Sequence, residues 1–133
     1  MTSPLALVVE DDSSIRALTE IALTRLAGWR VITAERGRTA IELAREHRPS
    51  VILMDLMMPE MDGVEAARIL LGDAATADIP VVLLTARPTF GDEDPPWAGV
   101  AIRGVIAKPF DPMSLARQVA DLVGWSEDSI ADG

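Results

Sequence analysis

The chain has 133 residues, of which 49% are apolar and 25% are charged, values typical of a single folded domain rather than a disordered chain. Its net charge of −9 disfavours nucleic acid and anionic membrane as partners, and the absence of cysteine excludes disulfides and thiolate metal sites. Because no apolar run approaches the roughly 20 residues that span a bilayer and the N-terminus lacks a signal-peptide pattern, we expect a cytoplasmic protein.

The N-terminal part of the chain predicts a strand followed by a helix. Residues 5–9 form an unalternated apolar run, which is typical of a strand buried on both faces of a parallel sheet. Apolar residues then recur at helical spacing over residues 15–26. Asp12 or Ser13 can cap the start of this helix, and Gly28 can end it.

The pattern repeats over the next third of the chain. Residues 30–34 are rich in β-branched side chains and predict a second strand. A second amphipathic helix is predicted over 39–47, where Pro49 stops it. Residues 51–54 form another unalternated apolar run, and this third strand leads into a single carboxylate, Asp55. A charge at that point favours a strand end rather than a strand interior, because an unpaired buried carboxylate is costly.

A third helix over 63–71 and a fourth strand over 79–85 come next. The segment 86–98 then breaks the pattern, since its three prolines and a glycine prevent a regular helix throughout. A short helix can still begin near Asp94 and extend to about residue 102, because proline is tolerated in the first turn.

The last elements are a fifth strand at 104–107 and a helix over 111–123. Strands alternating with helices predict an α/β fold, a doubly wound five-stranded parallel sheet. The flavodoxin-like strand order 2-1-3-4-5 fits five strands best, here with an irregular or shortened fourth helix. We expect one domain over residues 1–124 and a polar, acidic C-terminal tail over 125–133.

Polar side chains follow four of the predicted strands where each strand ends. They are Glu10 and Asp11 after the first strand, Asp55 after the third, Thr85 after the fourth and Lys108 after the fifth. Parallel strands place these ends at one edge of the sheet, so we expect the side chains to converge. Three carboxylates would suit Mg²⁺, and Lys108 would suit a phosphate oxygen. Together they predict a phosphoryl-transfer site with an aspartate nucleophile.

The chain resembles the receiver domain of two-component response regulators, the chemotaxis-regulator-like family. The resemblance extends over residues 5–123. Its motifs lie at 7–12, 51–63, 82–86 and 105–110, and their occurrence in this order is highly specific.

The resemblance implies a role for each residue at the strand ends. Asp55 would accept a phosphoryl group from a histidine kinase or phosphotransfer protein, and the phosphorylated chain would act on a downstream protein target. The protein would catalyse only its own phosphoryl transfer and dephosphorylation. Mg²⁺ would be bound by Asp11, Asp55 and the backbone carbonyl of Met57, with Glu10 acting through water. The phosphoryl-binding and switch residues would be Thr85, Ala86 and Lys108, with a cis Lys108–Pro109 bond.

Two departures from the family pattern affect how a signal would leave the site. Val105 stands where the family usually has an aromatic switch residue, three positions before the lysine. The proline-rich segment 86–98 replaces a regular loop and helix, so the dimer that many members form there is not carried over and homodimerisation stays open. Phe90 and Trp97 either form a partner surface or cover a shortened helix.

Two other functions compete with a phosphorylatable receiver. A degenerate receiver would bind partners without phosphorylation, and Val105 favours it while the intact strand-end set disfavours it. A Mg²⁺-dependent phosphatase with an aspartate nucleophile generally needs a second acid two residues after the nucleophile. Met57 occupies that position, which disfavours the phosphatase.

Overall fold

The computed structural model describes residues 3–125, so the predicted tail from residue 126 onward lies outside the described residues. Five strands and four helices follow one another within this range. In chain order they are β1 (Leu5–Val9), α1 (Ser13–Thr24), β2 (Arg30–Ala34), α2 (Gly37–His47), β3 (Val51–Asp55), α3 (Gly63–Gly72), β4 (Val81–Thr85), β5 (Gly104–Ala107) and α4 (Leu115–Val123).

The five strands form one parallel sheet in the order β2-β1-β3-β4-β5, which confirms the predicted topology. The pairing register aligns the carboxyl ends of the strands. Val9 lies opposite Met54, Asp55 lies opposite Leu84, and Thr85 lies opposite Ala107. The residues that follow β1, β3, β4 and β5 therefore meet at one edge of the sheet.

Helices cover the sheet on both faces, and the two resulting cores explain the apolar runs. The α2/α3 core contains Leu7, Ile52 and Leu83, whereas the α1/α4 core contains Val8 and Leu53. Successive strand residues thus alternate between two buried layers, so no polar position is needed within a central strand. Every residue of β3 and β4 is buried, including the terminal Asp55 and Thr85.

The connection between β4 and β5 contains no helix in the described structure. The predicted irregularity of this crossover is confirmed, but the short helix over residues 94–102 is wrong, because only a turn forms at 96–99. Two successive prolines lack N–H groups, and Gly99 adopts a left-handed φ of 80°, which ends the turn. Instead of a helix, half-buried Trp97, Val100 and Ile102 pack against the α2/α3 core.

The start of α1 and the end of α4 follow the predicted signals, whereas α1 ends at Thr24, before the predicted Gly28. Asp12 caps α1 by accepting hydrogen bonds from Ser14 N at 2.9 Å and Ile15 N at 3.0 Å. Gly124 ends α4 in the left-handed region, with φ of 79°. The predicted start of this helix at residue 111 is too early, because residues 112–114 form a turn before it.

Beyond the last helix, Trp125 packs edge-on against buried Trp29, with ring centroids 5.3 Å apart. This contact belongs to the α1/α4 core, on the opposite face of the sheet from α3. Among the helices of residues 3–125, none combines the length and hydropathy needed to cross a membrane.

Candidate functional site

The carboxyl ends of β1 and β3 bring three acidic side chains together. Oxygen atoms of Glu10, Asp11 and Asp55 all lie within 4.8 Å of one another. Glu10 and Asp55 are buried, whereas Asp11 is exposed to solvent. The predicted convergence of these carboxylates is therefore seen in the described structure, and it requires a compensating positive charge.

Lys108 supplies part of that charge from the end of β5. Its Nζ donates to Asp55 Oδ1 at 2.9 Å and to Glu10 Oε1 at 3.0 Å, and its side chain is 17% exposed. The Lys108 backbone N also donates to Thr85 O at 2.8 Å, which fixes the residue beside the end of β4. The Lys108–Pro109 bond is cis, as the resemblance implied.

The pKa values of Glu10 and Lys108 in the cluster are shifted because the groups are largely buried and the carboxylates outnumber the positive charge beside them. Burial raises the pKa of Glu10 from its ordinary 4.5 to about 7, although the hydrogen bond from Lys108 acts in the opposite direction. Burial also acts to lower the pKa of Lys108, but its hydrogen bonds to Asp55 and Glu10 outweigh this and raise it. One ammonium group therefore serves two buried carboxylates, with a third carboxylate close by.

The donor set fits a hard divalent cation. Mg²⁺ prefers carboxylate, carbonyl and water oxygens, and it binds protein through one or two carboxylates while keeping several waters. The cluster offers buried carboxylates and the solvent-exposed Asp11, which leaves room for those waters. Met57 lies two residues beyond Asp55 with its side chain 75% exposed. Metal coordination by its backbone carbonyl stays a prediction.

The raised pKa of Glu10 predicts that the metal-free domain loses stability as pH rises through the window from 4.5 to about 7. In that window the folded state holds a proton on Glu10 that the unfolded chain releases, so rising pH favours unfolding. Between about pH 5.5 and about pH 8 the free energy of unfolding should fall by ~2 kcal/mol, measured by urea unfolding at both pH values.

Glu10→Gln is the control for this pH effect, because it removes the titrating group while keeping the shape of the side chain. Asp73 and Asp78 do not obscure the result. Their pKa values are lowered from 3.8 by hydrogen bonds, so the stability they contribute is lost only as pH falls below that value. An identical pH dependence in the wild type and in Glu10→Gln would contradict the assignment.

Thr85 ends β4 beside this cluster, but its hydroxyl bonds to its own loop. Thr85 Oγ1 accepts from Arg87 N at 3.0 Å and donates to Arg87 O at 3.3 Å. Thr85 itself is buried, and Ala86 is exposed. A role for either residue in binding a phosphoryl group would require Thr85 to exchange this partner for one in the acidic cluster.

The departures from the family pattern lie on the same face of the sheet. Half-buried Val105 and Trp97 both pack against the α2/α3 core. Phe90 is half-buried and meets Trp97 edge-on, with ring centroids 5.6 Å apart, while the Arg87 guanidinium lies 3.9 Å from the Phe90 ring centroid. Trp97 thus covers the core, although no shortened helix forms beneath it.

Sequence reasoning missed Arg16, which supports the acidic cluster from α1. Its Nη1 donates to the backbone carbonyl of Glu10 at 2.9 Å, and its Nη2 lies 3.1 Å from Glu35 Oε1. The arginine therefore joins the loops that follow β1 and β2. Its position one turn after the capping Asp12 was the available signal, because that spacing directs a long side chain back toward the loop.

An apolar pocket that was also missed adjoins Lys108 on the α1 side. It has a volume of about 310 Å³ and is lined by Ile15, Leu18, Lys108, Pro109 and Phe110. Leu18 is 43% exposed, and Ile21, one turn further along α1, is 48% exposed. Exposed apolar side chains grouped beside the acidic edge of the sheet are a common mark of a binding surface.

Comparison with known proteins agrees with this geometry. A model of the response regulator receiver domain matches residues 6–120. The phosphate regulon transcriptional regulatory protein PhoB of Pseudomonas aeruginosa is 35% identical over 90% of this chain, which spans 51% of that relative's length. Protein PilH of the same organism is 32% identical over 85% of this chain and 93% of its own.

A solved structure provides the third comparison. The receiver domain of the sensor histidine kinase PA1611 of P. aeruginosa has a magnesium ion coordinated in its active-site cleft. It is 29% identical to this chain, with a TM-score of 0.80, and the match covers 92% of this chain and 99% of that one.

Proposed function

Because the chain belongs to the family of response regulator receiver domains, whose members signal through phosphorylation, we propose that Asp55 is its phosphoacceptor. The observation that carries the proposal is the position of the Asp55 carboxylate. It ends a fully buried strand, lies within 4.8 Å of two further carboxylates and accepts a hydrogen bond from Lys108 at 2.9 Å. Intact mass after reaction with a small phosphodonor tests the assignment directly.

The proposed reaction is a displacement at phosphorus. A carboxylate oxygen of Asp55 attacks the phosphoryl group of a phosphohistidine. The new O–P bond forms as the N–P bond breaks, and the electron pair of that bond returns to the imidazole nitrogen. Receiver domains bind Mg²⁺ in the acidic site, and when bound the ion would offset the negative charge gathered there. Asp11, Asp55 and the backbone carbonyl of Met57 would hold it, with Glu10 acting through water.

The other site residues would respond to the new charge. Phosphorylation converts Asp55 from a monoanion into a group with additional anionic oxygens, to which the Lys108 ammonium is suited as a point charge. The Thr85 hydroxyl would leave Arg87 and donate to a phosphoryl oxygen, with the backbone of Ala86 completing the binding. We propose that this exchange of hydrogen-bond partners by Thr85 is the switch, and that it operates although Val105 provides no aromatic ring.

Receiver domains interact with histidine kinases or phosphotransfer proteins, and we propose that this phosphodonor docks on α1. The pocket of about 310 Å³ includes Lys108 itself, so a partner seated there lies beside the phosphoacceptor. Leu18 and Ile21 are spaced by three residues on one helix face, and each is more than two-fifths exposed. They would be buried by a helix of the donor protein.

Leu18→Glu should therefore slow transfer from a phosphorylated donor protein at least about tenfold, because it places a charge in an apolar contact worth about 1.5–3 kcal/mol. Phosphorylation by acetyl phosphate should stay within about twofold of the wild-type rate, since a small donor needs no docking surface. Both rates can be followed by intact mass.

Ile69→Glu is a matched control for this substitution, because Ile69 is a 38% exposed apolar residue on the opposite helix layer. Equal losses in Leu18→Glu and Ile69→Glu would indicate a general effect of added charge. Equal losses with the two phosphodonors would indicate a damaged site rather than a lost docking contact.

As receiver domains are signalling modules, we propose that catalysis is confined to the chain's own phosphoryl transfer and slow dephosphorylation. Met57 presents a thioether, and the Arg87 guanidinium is stacked on Phe90, so neither positions a hydrolytic water.

We further propose that residues 1–124 form the receiver unit and that it acts in the cytoplasm on a downstream protein target. Whether the chain forms a homodimer would be determined by measuring its molecular mass in solution.

A further inference from the structure

A groove runs along α3 on the face where the β4–β5 crossover lacks its helix. Two cavities of about 410 and 310 Å³ form it, and Arg68 lines both. One wall is α3, where Val64, Arg68 and Leu71 occur at helical spacing. The opposite wall is the irregular segment that carries Pro96, Val100 and Ala101.

The groove lies where a doubly wound fold places a helix. Each face of a parallel sheet is normally covered by helices, and a right-handed crossover from β4 to β5 falls on the α3 side. In the described structure no helix lies between β4 and β5. The helix layer is therefore incomplete beside α3.

The rim of the groove is predominantly acidic. Asp62 and Glu65 line the end next to Met57, and both are exposed. The segment 92–94, which precedes the groove residue Pro96 in the sequence, carries three further exposed carboxylates. Among the described residues that line the two cavities, Arg68 is the one cation. The larger cavity, between Val64 and Pro96, has a mainly apolar lining with acidic flanks, which suits a ligand that is apolar along one stripe and basic beside it.

Other occupants fit this charge poorly. A second copy of the chain would bring a net charge of −9 to an already acidic rim. The chain's own residues 126–133 contain acidic and no basic side chains, and they follow Trp125, which packs on the α1/α4 face instead. A basic partner segment is the occupant that the charges favour.

We propose that this groove binds a short amphipathic helix of a partner protein, basic on both sides of an apolar stripe, and that the helix occupies the position left vacant between β4 and β5. Such helix-in-groove contacts are made by apolar side chains at helical spacing. The inference specifies the downstream contact of the proposed function, and it depends on that function only for its coupling to phosphorylation.

A chain of contacts connects the phosphoacceptor edge to the groove. Arg87 bonds through its backbone to the Thr85 hydroxyl and stacks through its guanidinium on Phe90. Phe90 in turn meets Trp97, which directly follows the groove residue Pro96. If Thr85 turns toward a phosphoryl group, Arg87 loses both of its backbone bonds to that hydroxyl. The groove wall can then move. This movement would take over the signalling role of the aromatic residue that is missing at position Val105.

The test uses a stapled helical peptide of about 12 residues, ~18 Å long at 1.5 Å per residue, with a leucine stripe flanked by lysines. A matched peptide carries glutamates in place of the lysines. Binding to the full chain is measured by NMR titration, with and without Mg²⁺ and beryllofluoride. We expect the basic peptide to shift Val64, Arg68, Leu71 and Val100, and to bind at least about tenfold tighter than the acidic one.

Three variants locate the site. Ala101→Arg places bulk and positive charge in the groove and should weaken the basic peptide at least about tenfold, whereas Ala17→Arg on exposed α1 should not. Arg68→Glu should tighten binding, a gain that misfolding cannot imitate. Shifts centred on α1, or equal affinity in Ala101→Arg and the wild type, would overturn the groove as the docking site.

The coupling between the phosphoacceptor and the groove is measured in a separate experiment. Beryllofluoride should tighten the basic peptide about fivefold or more, and Phe90→Leu should reduce that gain while keeping the affinity without beryllofluoride. If the chain binds beryllofluoride at Asp55 but its affinity for the basic peptide does not change, the proposed coupling is overturned. If beryllofluoride fails to shift Asp55 at all, the phosphoacceptor assignment fails, and the mapped peptide shifts still decide for or against the groove.

Discussion

Asp55→Asn will leave the chain without a phosphoryl adduct under conditions in which the wild type acquires one. An amide oxygen is not nucleophilic enough to attack phosphorus, so the loss should be complete rather than partial. The substitution preserves the shape of a side chain that is only 5% exposed, and Lys108 keeps its contact with Glu10 at 3.0 Å. Intact mass after incubation with acetyl phosphate and Mg²⁺ provides the measurement.

Asp12→Asn is the matched control, since Asp12 is an exposed carboxylate of the same loop that caps α1. Asparagine also caps helices well, so this variant should fold normally and keep the adduct. An adduct that persists on Asp55→Asn would place the phosphoacceptor elsewhere. A wild-type chain that never acquires one would favour the degenerate receiver, in which partner binding is independent of phosphorylation.

The strands were predictable because their side chains carry the information locally. The bounds of β1, β2 and β5 agree with the prediction, because an unalternated apolar run marks β1 and β-branched side chains mark β2. The β4–β5 crossover was not predictable in the same way. Pro95 is acceptable in the first turn of a helix, but Trp97, Val100 and Ile102 contribute more by packing on the core than a short helix would.

The candidate site likewise has one part that the sequence predicts and one part that depends on contacts between residues far apart in the chain. Strand ends identified Glu10, Asp11, Asp55 and Lys108 as neighbours, because parallel strands bring their ends together. How they pair was beyond the sequence, since Lys108 lies 98 residues from Glu10 and its bridge between two carboxylates depends on burial and strand register. The groove along α3 escaped prediction because it results from a helix that does not form.

Gly63→Ala will disturb the phosphoacceptor although residue 63 carries no reactive group. A Cβ at this position would lie 2.5 Å from the backbone oxygen of Asp55 and 3.0 Å from Leu56 Cα. Gly63 N also donates to Leu56 O at 2.8 Å, so the start of α3 cannot retreat without pulling on the end of β3. Backbone atoms cannot rotate away as a flexible side chain can, and the strain falls on the residue that must attack phosphorus.

We expect the rate of adduct formation from acetyl phosphate to fall about 100-fold, because small misplacements of a reacting group carry penalties of that size. Stability should fall by about 1–3 kcal/mol through overpacking, even though alanine favours helix better than glycine. Gly72→Ala is the matched control, because a Cβ there meets nothing within 4 Å at the other end of the same helix. If both variants phosphorylate at the wild-type rate, the close approach of α3 to Asp55 does not position the phosphoacceptor.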